Sequence, residues 1–163
     1  MISTLPGIDI GVWTQVKDGH PRLAELYRRH YSCYQYADNR RAQGGYRNRN
    51  LVMGPGEKMC LMTPDWNAAF GWRKFIDDSG QQGINCAFFR NESDALSSYL
   101  ILEAEKLAWY RWPNERLYTY VNAAAVKSSN PGYCYLKAGW RKCGFTKSRH
   151  LIILEKYPIG AKP

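Results

Sequence analysis

Apolar and polar positions follow helical spacing in some parts of this chain and strand spacing in others. The strongest helical pattern covers residues 94–112, and its apolar stripe consists of Leu96, Leu100, Ile101, Ala104, Leu107 and Ala108. Ser93 or Asn91 is expected to cap this helix, and Pro113 ends it. A shorter helix is predicted over residues 21–33, with Pro21 in its first turn.

Strand patterns separate and follow these helices. The predicted strands cover residues 8–16, 58–62, 68–75, 83–89, 116–121 and 151–156. A third helix is predicted between Asn130 as its cap and Gly139 as its end. The early strands follow one another through short turns, which indicates an antiparallel meander. The later strands alternate with helices, which indicates parallel neighbours. We therefore predict one domain over residues 1–163, of α/β class, with a central mixed sheet flanked by helices on both faces.

The charge balance favours a polyanionic partner. The chain carries 23 Lys and Arg against 14 Asp and Glu, a net charge of +9. Residues 39–56 and 116–154 contain no acid, and the first of these segments lies in a long polar loop. The predicted nucleic-acid contacts are Arg40, Arg41, Tyr46, Arg47, Arg49, Trp72, Arg73, Lys127, Arg141 and Lys142. The alternative interpretation is a solvated basic surface that contacts no nucleic acid.

The spacing of the cysteines and histidines and the hydropathy of the chain bear on its metal content and its cellular compartment. The five cysteines show no C-x-x-C spacing, which indicates free thiols in a reducing compartment. The three histidines, His20, His30 and His150, are scattered, and we predict no metal site from them. No apolar run approaches the ~18 residues that cross a bilayer. We therefore expect a cytoplasmic protein without a membrane partner.

The segment NPGYCYLKAGWRKCG at residues 130–144 resembles the last conserved block of the GNAT acyltransferases. Tyr135 stands four residues before the Gly139-Trp140 pair, and Gly144 follows a few residues later. The resemblance extends over residues 8–156, although only the C-terminal third carries a motif. It implies the GNAT fold and an acyl transfer in which a tyrosine protonates the leaving group. Tyr135 is the aligned general acid and Tyr133 the alternative. Packing beneath the sheet is the competing role for Tyr135.

The segment at residues 89–98 departs from the GNAT pattern. GNAT proteins carry a glycine-rich turn there, and its N–H groups bind the pyrophosphate of coenzyme A. Here the turn has no glycine, and Glu92 and Asp94 place carboxylates where phosphates would lie. The donor, acetyl-coenzyme A or another acyl or aminoacyl donor, therefore stays undetermined. The predicted donor contacts are Glu92, Ser93 and Ser97. The predicted catalytic residues beside the two tyrosines are Ser98, which would polarise the donor carbonyl, and Asn91, which would bind the base or the donor.

GNAT-like proteins without this loop include the phage Mom-type DNA-modification proteins, which alter adenine N6 and protect phage DNA from restriction. This sequence is similar to them in the turn at residues 91–93, in Trp112-Pro113, and in the entry SSNPG at residues 128–132. The resemblance implies duplex DNA as partner, with an adenine flipped out of the stack, and iron as a cofactor. Two other functions stay open. One is an N-acetyltransferase acting on a small molecule or protein, and the other is a non-catalytic nucleic-acid-binding module.

Overall fold

A single mixed sheet organises the parts of the chain that the computed structural model describes, residues 11–29, 50–76, 80–124 and 130–160. Its strands are β1 (Thr14–Val16), β2 (Glu57–Met62), β3 (Ala68–Lys74), β4 (Ile84–Asn91), β5 (Leu117–Val121), β6 (Arg141–Phe145) and β7 (Ile152–Lys156). The helices are α1 (Pro21–Arg28), α2 (Ser97–Arg111) and α3 (Tyr133–Lys137). The order of strands across the sheet is β1-β2-β3-β4-β5-β7-β6. The predicted α/β class is therefore confirmed at the level of a mixed sheet with helices.

One pair of neighbouring strands in the described sheet is parallel, β4 with β5, and the other described pairs are antiparallel. Strands β1 to β4 form an antiparallel meander, and β4 pairs with β5 in parallel, as predicted. The last strand, β7, was expected to run parallel to its neighbour, and that prediction is wrong. Residues Arg141–Phe145 form the unpredicted strand β6, whose hairpin with β7 turns β7 antiparallel to β5.

Helices cover both faces of the sheet, as predicted. On one face α1 packs through Leu23 and Leu26 against a small cluster that includes Met62 and Phe88. On the other face α2 and α3 cover the larger core. Its bulky members include Trp13, Phe70, Trp72, Ile101 and Trp140. No helix in the described ranges has the length and apolar character needed to cross a bilayer.

Helix α2 begins at Ser97, three residues later than the pattern indicated. Asn91 and Ser93 do not cap it. The Ser93 amide and hydroxyl donate to Asn91 Oδ1 at 2.9 and 2.6 Å, and Asn91 Nδ2 donates to Ala95 O at 2.7 Å. These hydrogen bonds stabilise a local turn before the helix begins. The residue preceding α2 is Leu96, which provides no side-chain cap.

Candidate functional site

The carboxyl ends of β4 and β5 separate and leave an opening in the sheet. Their parallel pairing extends only from Ile84 and Leu117 to Cys86 and Thr119, whereas β4 continues to Asn91. At the last pair, the Thr119 hydroxyl donates to the Cys86 carbonyl at 2.9 Å. In sheets with parallel strands, ligands usually bind in crevices beyond the carboxyl ends of those strands. We take this opening as the candidate site.

A β-bulge in β4 determines which side chains face the opening. Gly71 of β3 lies opposite Phe88, whereas the next residue, Trp72, lies opposite Cys86, so Ala87 has no opposite residue. The extra residue shifts the alternation of the β4 side chains between the two faces of the sheet. Cys86 and Phe89 therefore both pack with the α2 and α3 side of the sheet, and Phe88 packs with α1.

Tyr135 of α3 reaches the point where β4 and β5 separate. Its hydroxyl lies 3.3 Å from the Cys86 sulfur, and the ring packs edge to face against Phe89 and Trp140. The side chain is 8% exposed. The structure thus combines the predicted packing role of Tyr135 with a hydroxyl directed to the base of the opening. Tyr133, the alternative general acid, is the first residue of α3 and is exposed.

Cys86 is the member of this site that the sequence did not single out as functional. The partners are 49 residues apart and belong to different elements, so no local pattern connects them. Burial raises the pKa of the Cys86 thiol to about 12, against weaker lowering by its hydrogen bonds with Tyr135 and Thr119. The group is therefore a neutral thiol at physiological pH. A neutral buried thiol is a poor nucleophile, which argues against a covalent acyl-cysteine.

The turn between β4 and α2 holds the residues predicted to contact the donor. Glu92 forms ion pairs with Arg29 at 2.6 Å and Arg90 at 3.0 Å. The hydrogen bond from Arg29 lowers the pKa of Glu92, so the carboxylate is ionised but has cationic partners. In this pairing, the two arginines offset the negative charge of Glu92, which is one of the two carboxylates that were expected to repel phosphate. The sequence showed no sign of it, since Arg29 lies 63 residues away.

The remaining residues predicted at this turn occupy different environments. Asn91 Nδ2 donates to Ser97 Oγ at 3.0 Å, and Ser93 Oγ accepts from the amide of Ala95 at 3.2 Å, so these polar groups organise the turn. Ser98 is the second residue of α2 and is partly exposed. The structure therefore brings Asn91, Ser93 and Ser97 together in the turn at the end of β4.

The predicted nucleic-acid contacts divide into three groups. Six of them lie outside the described residues, namely Arg40, Arg41, Tyr46, Arg47, Arg49 and Lys127. Trp72 needs correction, because it is 0% exposed and its indole nitrogen donates to Ala104 O at 3.0 Å, which leaves no face for stacking on a base. Arg73 lies on the opposite face of β3, where its Nε is buried and has no hydrogen-bond partner among the described residues. Arg141 and Lys142 lie on β6, and Arg141 forms an ion pair with Glu155.

The described residues do not fit an iron site. Within residues 11–29, 50–76, 80–124 and 130–160, no three His, Cys, Asp or Glu side chains come together in a way that could hold a metal ion. His20 lies against Trp66 with the two rings tilted, and His150 stacks on Phe145. We therefore derive no chemical step through a metal.

Searches of the chain against protein-family models, against curated proteins and against solved structures found no match.

Proposed function

We propose that this protein is a GNAT-type acyl- or aminoacyl-transferase that modifies adenine N6 in DNA, similar to the phage Mom-type proteins, and that it acts in the cytoplasm of the host cell. The observation that carries the proposal is the opening between β4 and β5 with the Tyr135 hydroxyl at its base, 3.3 Å from Cys86. A parallel pair that separates beside a bulge provides a binding crevice, and a tyrosine hydroxyl provides a proton donor.

The proposed reaction is a direct transfer. The adenine amino nitrogen attacks the acyl carbon of the donor, and a C–N bond forms in a tetrahedral intermediate. The bond from that carbon to the leaving atom then breaks, and the leaving atom takes the proton of the Tyr135 hydroxyl. The amino nitrogen releases a proton to solvent, and Tyr135 regains one from solvent. The neutral Cys86 thiol contacts Tyr135 without taking part in covalent chemistry.

DNA as the acceptor is supported by the charge of the chain. The net charge is +9, and the acid-free segment at residues 116–154 includes α3, which carries Tyr135, and β6, whose Phe145 end lies at the same end of the sheet as the opening. Phosphate contacts made by such a surface supply most of the sequence-independent affinity for DNA. An adenine inside a duplex must leave the stack before its amino group reaches the opening.

A second function in the same fold is an N-acetyltransferase that uses acetyl-coenzyme A. The observation that favours it is the pairing of Glu92 with Arg29 and Arg90, because this pairing reduces the expected repulsion of phosphates at the turn. Saturable binding of coenzyme A together with unmodified DNA would support this function over the first.

The test of the leading proposal is mass spectrometry of nucleosides from the DNA of cells that express the protein. We expect a heavier deoxyadenosine, whose mass increment identifies the transferred group. Tyr135→Phe keeps the packing against Phe89 and Trp140 but removes the proton donor. We expect it to lower modification by about 100-fold or more, as is typical of a lost general acid.

Tyr133→Phe is the matched control, because it removes the exposed hydroxyl two residues away on the same helix. We expect it to keep full modification. Equal loss in both variants would contradict the assignment of Tyr135. Unmodified nucleosides in cells with abundant folded protein would overturn DNA modification itself. Modification that persists in Tyr135→Phe would leave the transfer intact and remove Tyr135 from it.

A further inference from the structure

The hairpin formed by β6 and β7 presents an exposed sheet edge. β6 is the last strand in the order of the described sheet, and it pairs only with β7 there. Its residues Arg141, Lys142, Cys143 and Phe145 are all exposed, and Phe145 keeps 56% of its surface accessible. An apolar ring so exposed on an edge strand contributes nothing to the core, so its presence needs another reason.

The tip of this hairpin has a fixed shape. Thr146 accepts from the His150 amide through its carbonyl at 3.1 Å and from the Leu151 amide through its hydroxyl at 2.9 Å. His150 adopts a φ of 55°, and its ring stacks on Phe145 with centroids 4.7 Å apart and planes 9° apart. The two stacked rings therefore form a preformed flat surface at an exposed tip.

A second bulge decides which side chains share a face of the hairpin. Lys142 lies opposite Leu154 and Phe145 lies opposite Ile152, with Cys143 as the extra residue between them. Leu154 and Ile152 belong to the core cluster under α2 and α3. Lys142 and Phe145 consequently lie on the face of the sheet that carries the candidate site.

The charge on the hairpin is positive and only partly compensated. Arg141 lies opposite Glu155 on the other face and forms an ion pair with it at 2.6 Å. Lys142 and Lys147 are exposed, and no ion pair joins either of them to an acid in the described part of the chain. Two lysines beside an aromatic pair combine phosphate attraction with a surface for sugars or base edges.

We propose that the β6–β7 hairpin docks at a groove of duplex DNA through its tip and the exposed edge of β6. Lys142 and Lys147 contact the phosphates, and the Phe145–His150 pair lies against the groove wall. Because β7 is paired with β5 from Ile152 to Lys156, the tip and the exposed edge of β6 make these contacts. The inference rests on the proposed function for the identity of the substrate, and it adds the element that docks the duplex at the same end of the sheet as the opening.

The test measures binding rather than modification. Fluorescence anisotropy with a labelled 20-base-pair duplex, without any donor, gives the dissociation constant over a series of salt concentrations. We expect Lys142→Ala/Lys147→Ala to weaken binding about tenfold and to reduce the slope of log affinity against log salt by about 2. We expect Phe145→Ala to weaken binding about fivefold or more at every salt concentration.

The matched control is Lys17→Ala/Arg22→Ala, which removes two exposed cations near β1 at the other edge of the sheet. We expect this variant to bind as the unsubstituted protein does. All variants change exposed side chains, and circular dichroism confirms that each is folded.

The outcomes separate this inference from the proposed function. Hairpin variants that bind the duplex normally would overturn the inference, even if the protein modifies DNA. Hairpin-dependent binding by a protein that modifies no base would support it while the proposed function fails. A wild-type protein that does not bind the duplex, or that binds single strands through the hairpin in preference to duplex, would overturn it.

Discussion

At the scale of the residue, Gly132 places the start of α3 against β7. Its φ is +80°, and a Cβ added there would lie 2.7 Å from Leu154 Cδ1 and 3.5 Å from Val121 Cγ2. Leu154 is fully buried, so it has little room to move away. Glycine satisfies both the backbone angle and the close approach. The position matters for the site because Tyr135 follows three residues later on the same turn.

Gly132→Ala should therefore destabilise the protein by about 1–2 kcal/mol, since an alanine meets a strained backbone angle as well as Leu154. Thermal or urea unfolding measures the change. Gly144→Ala is the control, because a Cβ there meets nothing within 4 Å and the backbone angle is ordinary. Similar destabilisation of both variants would contradict the role of the left-handed angle at Gly132.

At the scale of the element, a buried carboxylate joins α2 to the end of the sheet. Glu105 is 3% exposed and accepts from Trp140 Nε1 at 2.7 Å and from Lys156 Nζ at 2.7 Å. Lys156 also donates to the Ala138 carbonyl at 2.8 Å. Burial raises the pKa of Glu105, and the bonds from Lys156 and Trp140 oppose that rise. One side chain thus connects α2, the residues after α3, and β7.

Glu105→Ala should reduce the free energy of unfolding by about 3 kcal/mol or more, because it leaves the partly buried Lys156 amine without its carboxylate partner and the buried Trp140 N–H without its acceptor. Urea denaturation checks this value. Glu25→Ala is the control, since Glu25 is exposed and lies 3.9 Å from Arg22. We expect it to change stability by less than about 0.5 kcal/mol. A loss in Glu105→Ala as small as in the control would show that the connection contributes little.

Elements with strong apolar periodicity were predictable from the sequence, and those without it were not. The buried strand β4 and the stripe of α2 follow from their patterns. β6 was missed because four of its five residues are exposed, and only pairing with β7 holds it as a strand. The first residue of α2 was misplaced because Asn91 and Ser93 have side chains suited to capping yet bond within the preceding turn.

At the scale of the whole molecule, one carboxylate connects the strands beyond the parallel pair. Glu155 on β7 accepts from Arg116, just before β5, at 2.7 Å and from Arg141 on β6 at 2.6 Å. Burial alone would raise the pKa of Glu155, but the hydrogen bonds and charges of the two guanidinium groups outweigh it and lower the pKa below its ordinary value of 4.5.

The lowered pKa of Glu155 gives stability a defined pH dependence. A carboxylate with a lowered pKa in the folded state stabilises the fold above its unfolded pKa, and this contribution disappears as the pH falls through the folded pKa. The difference in free energy of unfolding between the unsubstituted protein and Glu155→Gln should be largest near pH 7 and shrink below pH 4.5. Urea titrations at both pH values measure it. A difference that stays constant would contradict the ion pairs.

Only part of the candidate site could be predicted from the sequence. The motif around Tyr135 indicated a tyrosine at the start of α3, and the structure places that residue beside the opening. The contact with Cys86 depends on the bulge at Ala87 and on the register of β4 with β5, which are tertiary properties. The pairing of Glu92 with Arg29 likewise joins the end of α1 to a turn far along the chain.

The position of β7 has a consequence for biosynthesis. β7 follows β6 in the chain but lies between β5 and β6 in the sheet. While the polypeptide leaves the ribosome, β5 and β6 both emerge before the strand that joins them. A nascent chain halted before Ile152 can form the meander but cannot complete the sheet. The start of α3, which packs on Leu154 through Gly132, therefore cannot take its native position until residues 152–156 are made, and until then the edge of β5 that pairs with β7 stays open.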